Sequence, residues 1–251
     1  MKIAVCFKVV PDDQDIQVGS DRSLDYSKAH QIVSTYDLNA IEVAAQLAGT
    51  HEASLVGITA GSLLVDDSKL KKNVLARGVD ELFMTADDAC VEMDAFATST
   101  ALASLVERIG GCDLIICGDG SADNYAQQVD VQLAAKLGLP VVTSATKVSV
   151  EAGLLTVERT LEDVVEIVRV SLPAVVSVTP DAALPRIPGM KDIVAAGKKP
   201  SDVQPSGLPV ASAIEVLDCR APELVARRLE VVDANQEGAL ENFVAALKAA
   251  V

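Results

Sequence analysis

The segment with the most chemical potential in this 251-residue chain is Gly118-Asp119-Gly120-Ser121-Ala122-Asp123-Asn124-Tyr125-Ala126-Gln127-Gln128-Val129. It is small and polar, and it follows an apolar run. Such a loop, opening into a helix, turns backbone N–H groups toward the positive end of that helix, which suits a phosphate. The same composition also makes good turn and cap chemistry, so the loop alone leaves both readings open. Thr59-Ala60-Gly61-Ser62 is a shorter loop of the same kind, and its glycine could serve only to turn the backbone.

Hydrolytic machinery is missing. No Ser stands in a GxSxG setting with a histidine near it, and neither a Walker A pattern nor GxGxxG follows the first strand. That strand leads instead into Lys8-Val9-Val10-Pro11-Asp12, without the Ser-Gly-Gly type loop of an ATP pyrophosphatase. His30 and His51 are far apart and make a poor start for a metal site, so no metal is expected. The five cysteines, Cys6, Cys90, Cys112, Cys117 and Cys219, are scattered and lack a CxxC pair, which points to free thiols in a reducing compartment. The formal net charge of -15 argues against a nucleic-acid partner.

The elements that must position these loops follow from periodicity. Short apolar runs at Lys2 to Phe7, Ala53 to Thr59, Glu81 to Met84, Asp113 to Cys117 and Pro140 to Thr143 read as buried strands. Helices are expected between them. The first is capped by Asp37 and carries Ala40, Ile41, Ala44, Ala45 and Ala48 on one face. The second runs from about Asp66 to Arg77, with Gly78 ending it; the third follows Asp94, and the fourth spans about Tyr125 to Leu137 before Gly138. Strand and helix alternate through residue 143. The expected fold is therefore α/β, a doubly wound, mostly parallel, Rossmann-like sheet that binds ligands beyond the carboxyl ends of its strands.

After that the pattern changes. Leu154 to Arg159 and Val164 to Val170 read as a hairpin, and Pro173 to Val178 as a further strand. In the hairpin, Arg159 and Glu166 are expected to pair across the strands. Lys198-Lys199 reads as solvated surface, Pro200 to Pro209 as a linker, and Leu240 to Val251 as an amphipathic helix with Phe243, Val244 and Leu247 on one stripe. The expected division is a nucleotide-binding domain over 1–200 and a linker with a docking C-terminal arm over 201–251. The amino terminus has too short an apolar run for a signal peptide or membrane span, so a cytoplasmic protein without membrane insertion is expected.

Several segments together resemble the electron transfer flavoprotein beta subunit, in its Fix-type branch. The strongest is Val157 to Ser177, with an Arg, an acidic pair, a Glu and then Pro-Ala-Val; Val164 stands where the family extends its acidic or glycine run. Tyr36-Asp37-Leu38-Asn39-Ala40-Ile41-Glu42 is similar to the family's aromatic-Asp-x-Asn-Ala-x-Glu segment, and Leu184 to Lys191 with Gly197-Lys198-Lys199-Pro200 resembles its Pro-Arg-Tyr to Lys-Lys-Lys-Pro stretch.

The resemblance implies a non-catalytic electron carrier subunit that pairs with an alpha subunit. It would hold AMP or FAD in its own site and border a FAD shared with that partner. By position the nucleotide would be surrounded by Cys6, Lys8, Ser34, Tyr36, Asp37, Ala60, Gly61, Gly118 and the Ser121 to Gln132 segment, chiefly Ser121, Ala122, Asp123, Asn124, Tyr125, Ala126, Gln127, Gln128 and Val129. Many members have Asp-Gly-Asp-Thr-Ala-Gln-Val where this chain has Asp123 to Val129, which would shift phosphate contact to Ser121, backbone N–H groups and Gln127 or Gln128. Ile187, Met190 and Ile193 match the family's recognition loop, with Met190 as an apolar anchor for a flavoprotein dehydrogenase of the acyl-CoA dehydrogenase type. A quinone-oxidoreductase type acceptor and flavin-based bifurcation complete what the resemblance implies. From another class, a homomeric universal-stress-type adenine-nucleotide-binding protein would bind ATP without flavin.

Overall fold

The computed structural model describes residues 1–207, 211–223, 229 and 231–250. Its centre is a nine-stranded sheet. In chain order the strands are β1 (Lys2–Cys6), β2 (Ser54–Gly61), β3 (Glu81–Ala86), β4 (Leu114–Gly118), β5 (Val141–Glu151), β6 (Leu154–Thr160), β7 (Val165–Ser171), β8 (Ala174–Val178) and β9 (Ser201–Gln204). Their spatial order is β7-β6-β5-β8-β4-β1-β2-β3-β9. Every neighbouring pair from β5 to β9 is parallel, while β6 and β7 add an antiparallel edge.

The central strands are apolar on both sides because helices cover both sides. Ile3, Val5, Leu114 and Ile116 point into one cluster with α1 (Thr35–His51) and α2 (Ser68–Leu75). Ala4, Cys6, Ile115 and Cys117 point into the other with α3 (Ala95–Arg108) and α4 (Val129–Leu137). Alternation within each strand thus builds two cores from one sheet. From β1 the chain steps outward to β2 and β3, then crosses back to β4 on the other side of β1. Between β1 and β4 the winding reverses, which opens a crevice at their carboxyl ends.

Most expected elements are present, with informative shifts. Helix α1 begins at Thr35 with Ser34 as its cap residue, so Asp37 is not the cap but lies buried in the first turn. Helix α2 begins at Ser68, where the Asp67 carboxylate accepts from the N–H groups of Lys69 and Leu70. It ends at Leu75, before Gly78. Asp94 caps α3 by accepting from Ala97 N–H at 2.8 Å. Helix α4 starts at Val129 rather than near Tyr125, because Tyr125 (φ 43°) and Gln127 (φ 54°) take left-handed backbone that no helix can include.

Strand β5 runs well beyond Thr143, reaching Glu151, and so serves both the parallel sheet and the antiparallel edge. Ser201–Gln204, expected as linker, instead pairs in parallel with β3 and carries the sheet past residue 200. The Lys199 ammonium is not solvated surface either: it donates to the carbonyls of Leu75 (2.9 Å) and Val79 (2.6 Å), tying the approach to β9 onto the end of α2. A short helix, α5 (Met190–Ala196), precedes it, and α6 (Ala239–Ala250) carries Phe243, Val244 and Leu247 exposed. Pro209 and Val251 lie outside the described residues. Among the described residues, no helix is long and apolar enough to cross a membrane.

Candidate nucleotide-binding site

The crevice at the β1/β4 reversal is an open cleft enclosing about 610 Å³ of empty space, solvent at its mouth included. Three strand ends supply its floor: Cys6 at the end of β1 with Phe7 and Lys8 after it, Ala60 on β2, and Cys117 and Gly118 on β4. Asp119, Gly120 and Ser121 continue one wall, and Ala126, Gln127, Gln128, Val129 and Asp130 bring in the start of α4. Thr98 and Leu102, one turn apart on α3, close the apolar side.

Asp37 holds these segments together. Its carboxylate accepts from Lys8 N–H at 2.7 Å and from Gly118 N–H, so one side chain in the first turn of α1 clamps the exits of β1 and β4. Burial pushes the Asp37 carboxyl up to about 7, against the pull of those two N–H groups. No side chain fits at Gly118, where a Cβ would stand 2.7 Å from Asp37 Oδ1 and 3.0 Å from the Tyr36 backbone. A second clasp lies beside the first. Ser34 N–H donates to the Lys8 carbonyl at 2.9 Å, and the Ser34 hydroxyl accepts from Ala122 N–H at 3.3 Å.

The polar loop is braced by its own side chains. The Lys8 ammonium pairs with Asp123 Oδ2, and the Ser121 hydroxyl donates to Asp123 Oδ1 at 2.6 Å. Despite burial, Lys8 and Ser121 hold the Asp123 carboxyl below the usual carboxylate range. The Tyr125 ring packs on Tyr36 with centroids 5.0 Å apart and lies over Gly120, where a Cβ would overlap it. Its hydroxyl donates to Asp119 Oδ2 at 3.0 Å. At the floor, contact with Cys6 and burial push the Cys117 thiol far up, which removes it as a nucleophile.

Of the residues expected at the nucleotide, Cys6, Lys8, Asp37, Ala60, Gly118, Ser121, Ala126, Gln127, Gln128 and Val129 share the cleft lining. Ser34, Tyr36, Ala122, Asp123 and Tyr125 stand behind it as braces. Gly61 lies at the end of β2 against Val65, and Asn124 is exposed in the loop; neither lines the cleft. Asp130, within the expected Ser121 to Gln132 segment, also lines the cleft, whereas sequence reasoning missed Phe7, Thr98, Leu102, Cys117, Asp119 and Gly120. Asp119 and Gly120 lay inside the loop singled out, whereas Thr98 and Leu102 sit on a helix face with no local signal.

Away from the cleft, α1 performs a second task one turn on. Asn39 Nδ2 donates to the carbonyls of Pro180 (3.0 Å) and Ala183 (2.8 Å), and buried Glu42 receives Arg186 through Nε (2.6 Å), Nη2 (3.0 Å) and its backbone N–H (3.2 Å). Against its burial, Arg186 and Gln46 hold the Glu42 carboxyl below its ordinary range. The segment that follows projects outward: Ile187 is 94% exposed, Met190 77% and Ile193 42%. The Arg159–Glu166 pair forms across β6 and β7 at 3.0 Å as expected, and Arg159 Nε also donates to the Thr143 carbonyl. Among the described residues no group of three His, Cys, Asp or Glu could hold a metal.

Fold and cleft together define a doubly wound α/β protein with a ligand crevice at its topological switch point. A family model, the electron transfer flavoprotein domain, matches residues 23–206. The chain belongs to the electron transfer flavoprotein family, whose members carry electrons rather than catalyse.

Proposed function

We propose that this chain is the beta subunit of a heterodimeric electron transfer flavoprotein of the Fix type, with the cleft holding AMP or the adenosine half of a FAD. The observation that carries this reading is the clamp at Asp37. The Tyr36 to Glu42 motif places Asp37 on both strand exits that form the cleft, and places Asn39 and Glu42 on the segment leading to Met190. About two helical turns thus couple a nucleotide site to a docking loop. The lining suits a nucleoside: apolar walls from Phe7, Ala60, Leu102 and Val129 for a base, and glycines at 118 and 120 where added atoms would collide with the braces.

In this reading Ser121, Gln127 or Gln128 and the N–H groups leading into α4 face the phosphate, and the apolar walls exclude water from the base. A bound flavin would supply the one- and two-electron chemistry. The chain itself binds and orients. Cys6 and Lys8, Ser34 to Asp37, Ala60 with Gly61, and Gly118 with Ser121 to Val129 form or brace the nucleotide site. Residues 1–200 with β9 make the nucleotide-binding unit, and the remainder of 201–251, ending in the exposed face of α6, docks on the alpha subunit. Ile187, Met190 and Ile193 engage a flavoprotein dehydrogenase of the acyl-CoA dehydrogenase type, electrons pass on to a quinone-oxidoreductase type acceptor, and the protein works in the cytoplasm. A second FAD in place of AMP would make the complex a bifurcating one.

Co-expression with an alpha subunit tests this directly. A yellow heterodimer with adenine nucleotide released on denaturation is expected, and a colourless monomer from that co-expression overturns the proposal. A homomer that binds ATP without flavin would favour the universal-stress-type alternative.

A further inference from the structure

One wall of the cleft carries an unused acceptor. Asp119 is 8% exposed and lines the cleft; its Oδ2 accepts from the Tyr125 hydroxyl, while its Oδ1 is buried without a hydrogen-bond partner. A buried carboxylate oxygen left unpaired costs the desolvation of a charged group, so its presence calls for a donor from a bound molecule. The surroundings favour a neutral one. Asp37 and Asp130 line the same cleft, each 6% exposed, and Lys8, the sole cation among the lining residues, already pairs with Asp123. A phosphate placed against Asp119 would meet carboxyl groups and no unpaired cation.

We propose that Asp119 Oδ1 reads a hydrogen-bond donor on the nucleoside, either a ribose hydroxyl or the exocyclic amine of adenine, so that this wall selects the nucleoside and not the phosphate. The inference rests on the reading of the cleft as a nucleotide site. The Tyr125 hydroxyl is the positioning group: by donating to Oδ2 it fixes the carboxylate and leaves Oδ1 as the open acceptor. Burial raises the Asp119 carboxyl above its ordinary value, and a donor on Oδ1 would draw it back toward the charged form.

The test compares AMP with 2′-deoxy-AMP, 3′-deoxy-AMP and inosine 5′-monophosphate on the full chain in its flavoprotein complex, freed of endogenous nucleotide. One of the three analogues should bind about tenfold or more weakly than AMP, since a hydrogen bond to a charged group is at stake. Asp119→Asn keeps an acceptor for Tyr125 but presents an amide donor to the ligand, so the discrimination should disappear. Asp119→Ser serves the same purpose if the Asn variant does not fold. Loss with a deoxy analogue assigns the ribose hydroxyl, and loss with the inosine nucleotide assigns the amine. Equal binding of all four nucleotides, or discrimination unchanged in either folded variant, overturns the assignment of Asp119 while leaving the nucleotide site standing. Absence of any AMP binding by the wild-type complex overturns the site and the inference together.

Discussion

The cleft at the β1/β4 exits and the surface beyond Arg186 are both held by α1, yet they are built in opposite ways. In the cleft, carboxylates are buried and side chains turn inward: Asp37, Asp119 and Asp130 are all more than nine-tenths covered. Beyond Arg186 the anchoring residue Glu42 is buried, but what it anchors is turned outward, with Ile187 and Met190 almost bare. A ligand site needs preorganised polar groups out of water, whereas a docking surface needs apolar groups left in it until a partner arrives. The contrast predicts that changes in the cleft are felt as stability and ligand binding, and changes in the loop as association alone.

The largest effect should come from pH. Between its ordinary value of 3.8 and about 7, the Asp37 carboxyl in the folded chain keeps a proton that the unfolded chain has released. The unfolded state then binds fewer protons, so stability falls as pH rises through that window, by an amount on the order of a few kcal/mol. Thermal unfolding followed across the window should show the decline, and a melting temperature that rises toward neutral pH would count against it. Anionic ligands should also bind better at the acid end, where Asp37 is neutral.

Gly118→Ala comes next. Its Cβ meets Asp37 and the Tyr36 backbone, and a backbone cannot swing aside as a side-chain tip can. A loss of about 1–3 kcal/mol in chemical denaturation is expected, with nucleotide binding weakened in parallel. An unchanged denaturation midpoint would show that the clamp is looser than its geometry.

Arg186→Ala should cost somewhat less, about 1–2 kcal/mol, because the guanidinium is partly exposed and Gln46 still reaches Glu42. It releases the base of the proposed docking loop, so on the proposed function binding of a partner dehydrogenase should weaken while nucleotide content holds. Equal loss of both would mean that the two regions are not separable.

Met190→Ala is the mildest in stability, within about 0.5 kcal/mol, since the side chain packs on little. Electron transfer to the partner, measured by stopped-flow reduction, should nonetheless drop. No change in that rate would remove Met190 as the anchor.

Much of this architecture is legible in the sequence because buried parallel strands announce themselves as short apolar runs. The glycines at 118 and 138 likewise marked ends that the structure keeps. The start of α4 was not legible. Ala126, Gln127 and Gln128 have ordinary helix propensity, and what keeps them out is the Tyr125 ring lying on Tyr36 and over Gly120, a contact between segments about ninety residues apart. Strand β9 was hidden for a similar reason: Ser-Asp-Val-Gln has no strand pattern of its own and is recruited by the exposed edge of β3, with Lys199 fixing its approach. At the site, residues in the polar loop could be found from composition, but the unpaired oxygen of Asp119 exists only once Tyr125 has claimed the other one. Tertiary contacts made that feature, and no local pattern encodes it.

The most direct test is to count the adenine nucleotide and flavin released on denaturation from the co-purified complex, in wild type, Gly118→Ala and Met190→Ala. The proposed function predicts flavin together with a nucleotide in the cleft, as AMP or as part of a second FAD. That cleft nucleotide should be depleted by Gly118→Ala and retained in full by Met190→Ala. A complex without flavin, or one whose nucleotide content is indifferent to Gly118→Ala, would contradict it.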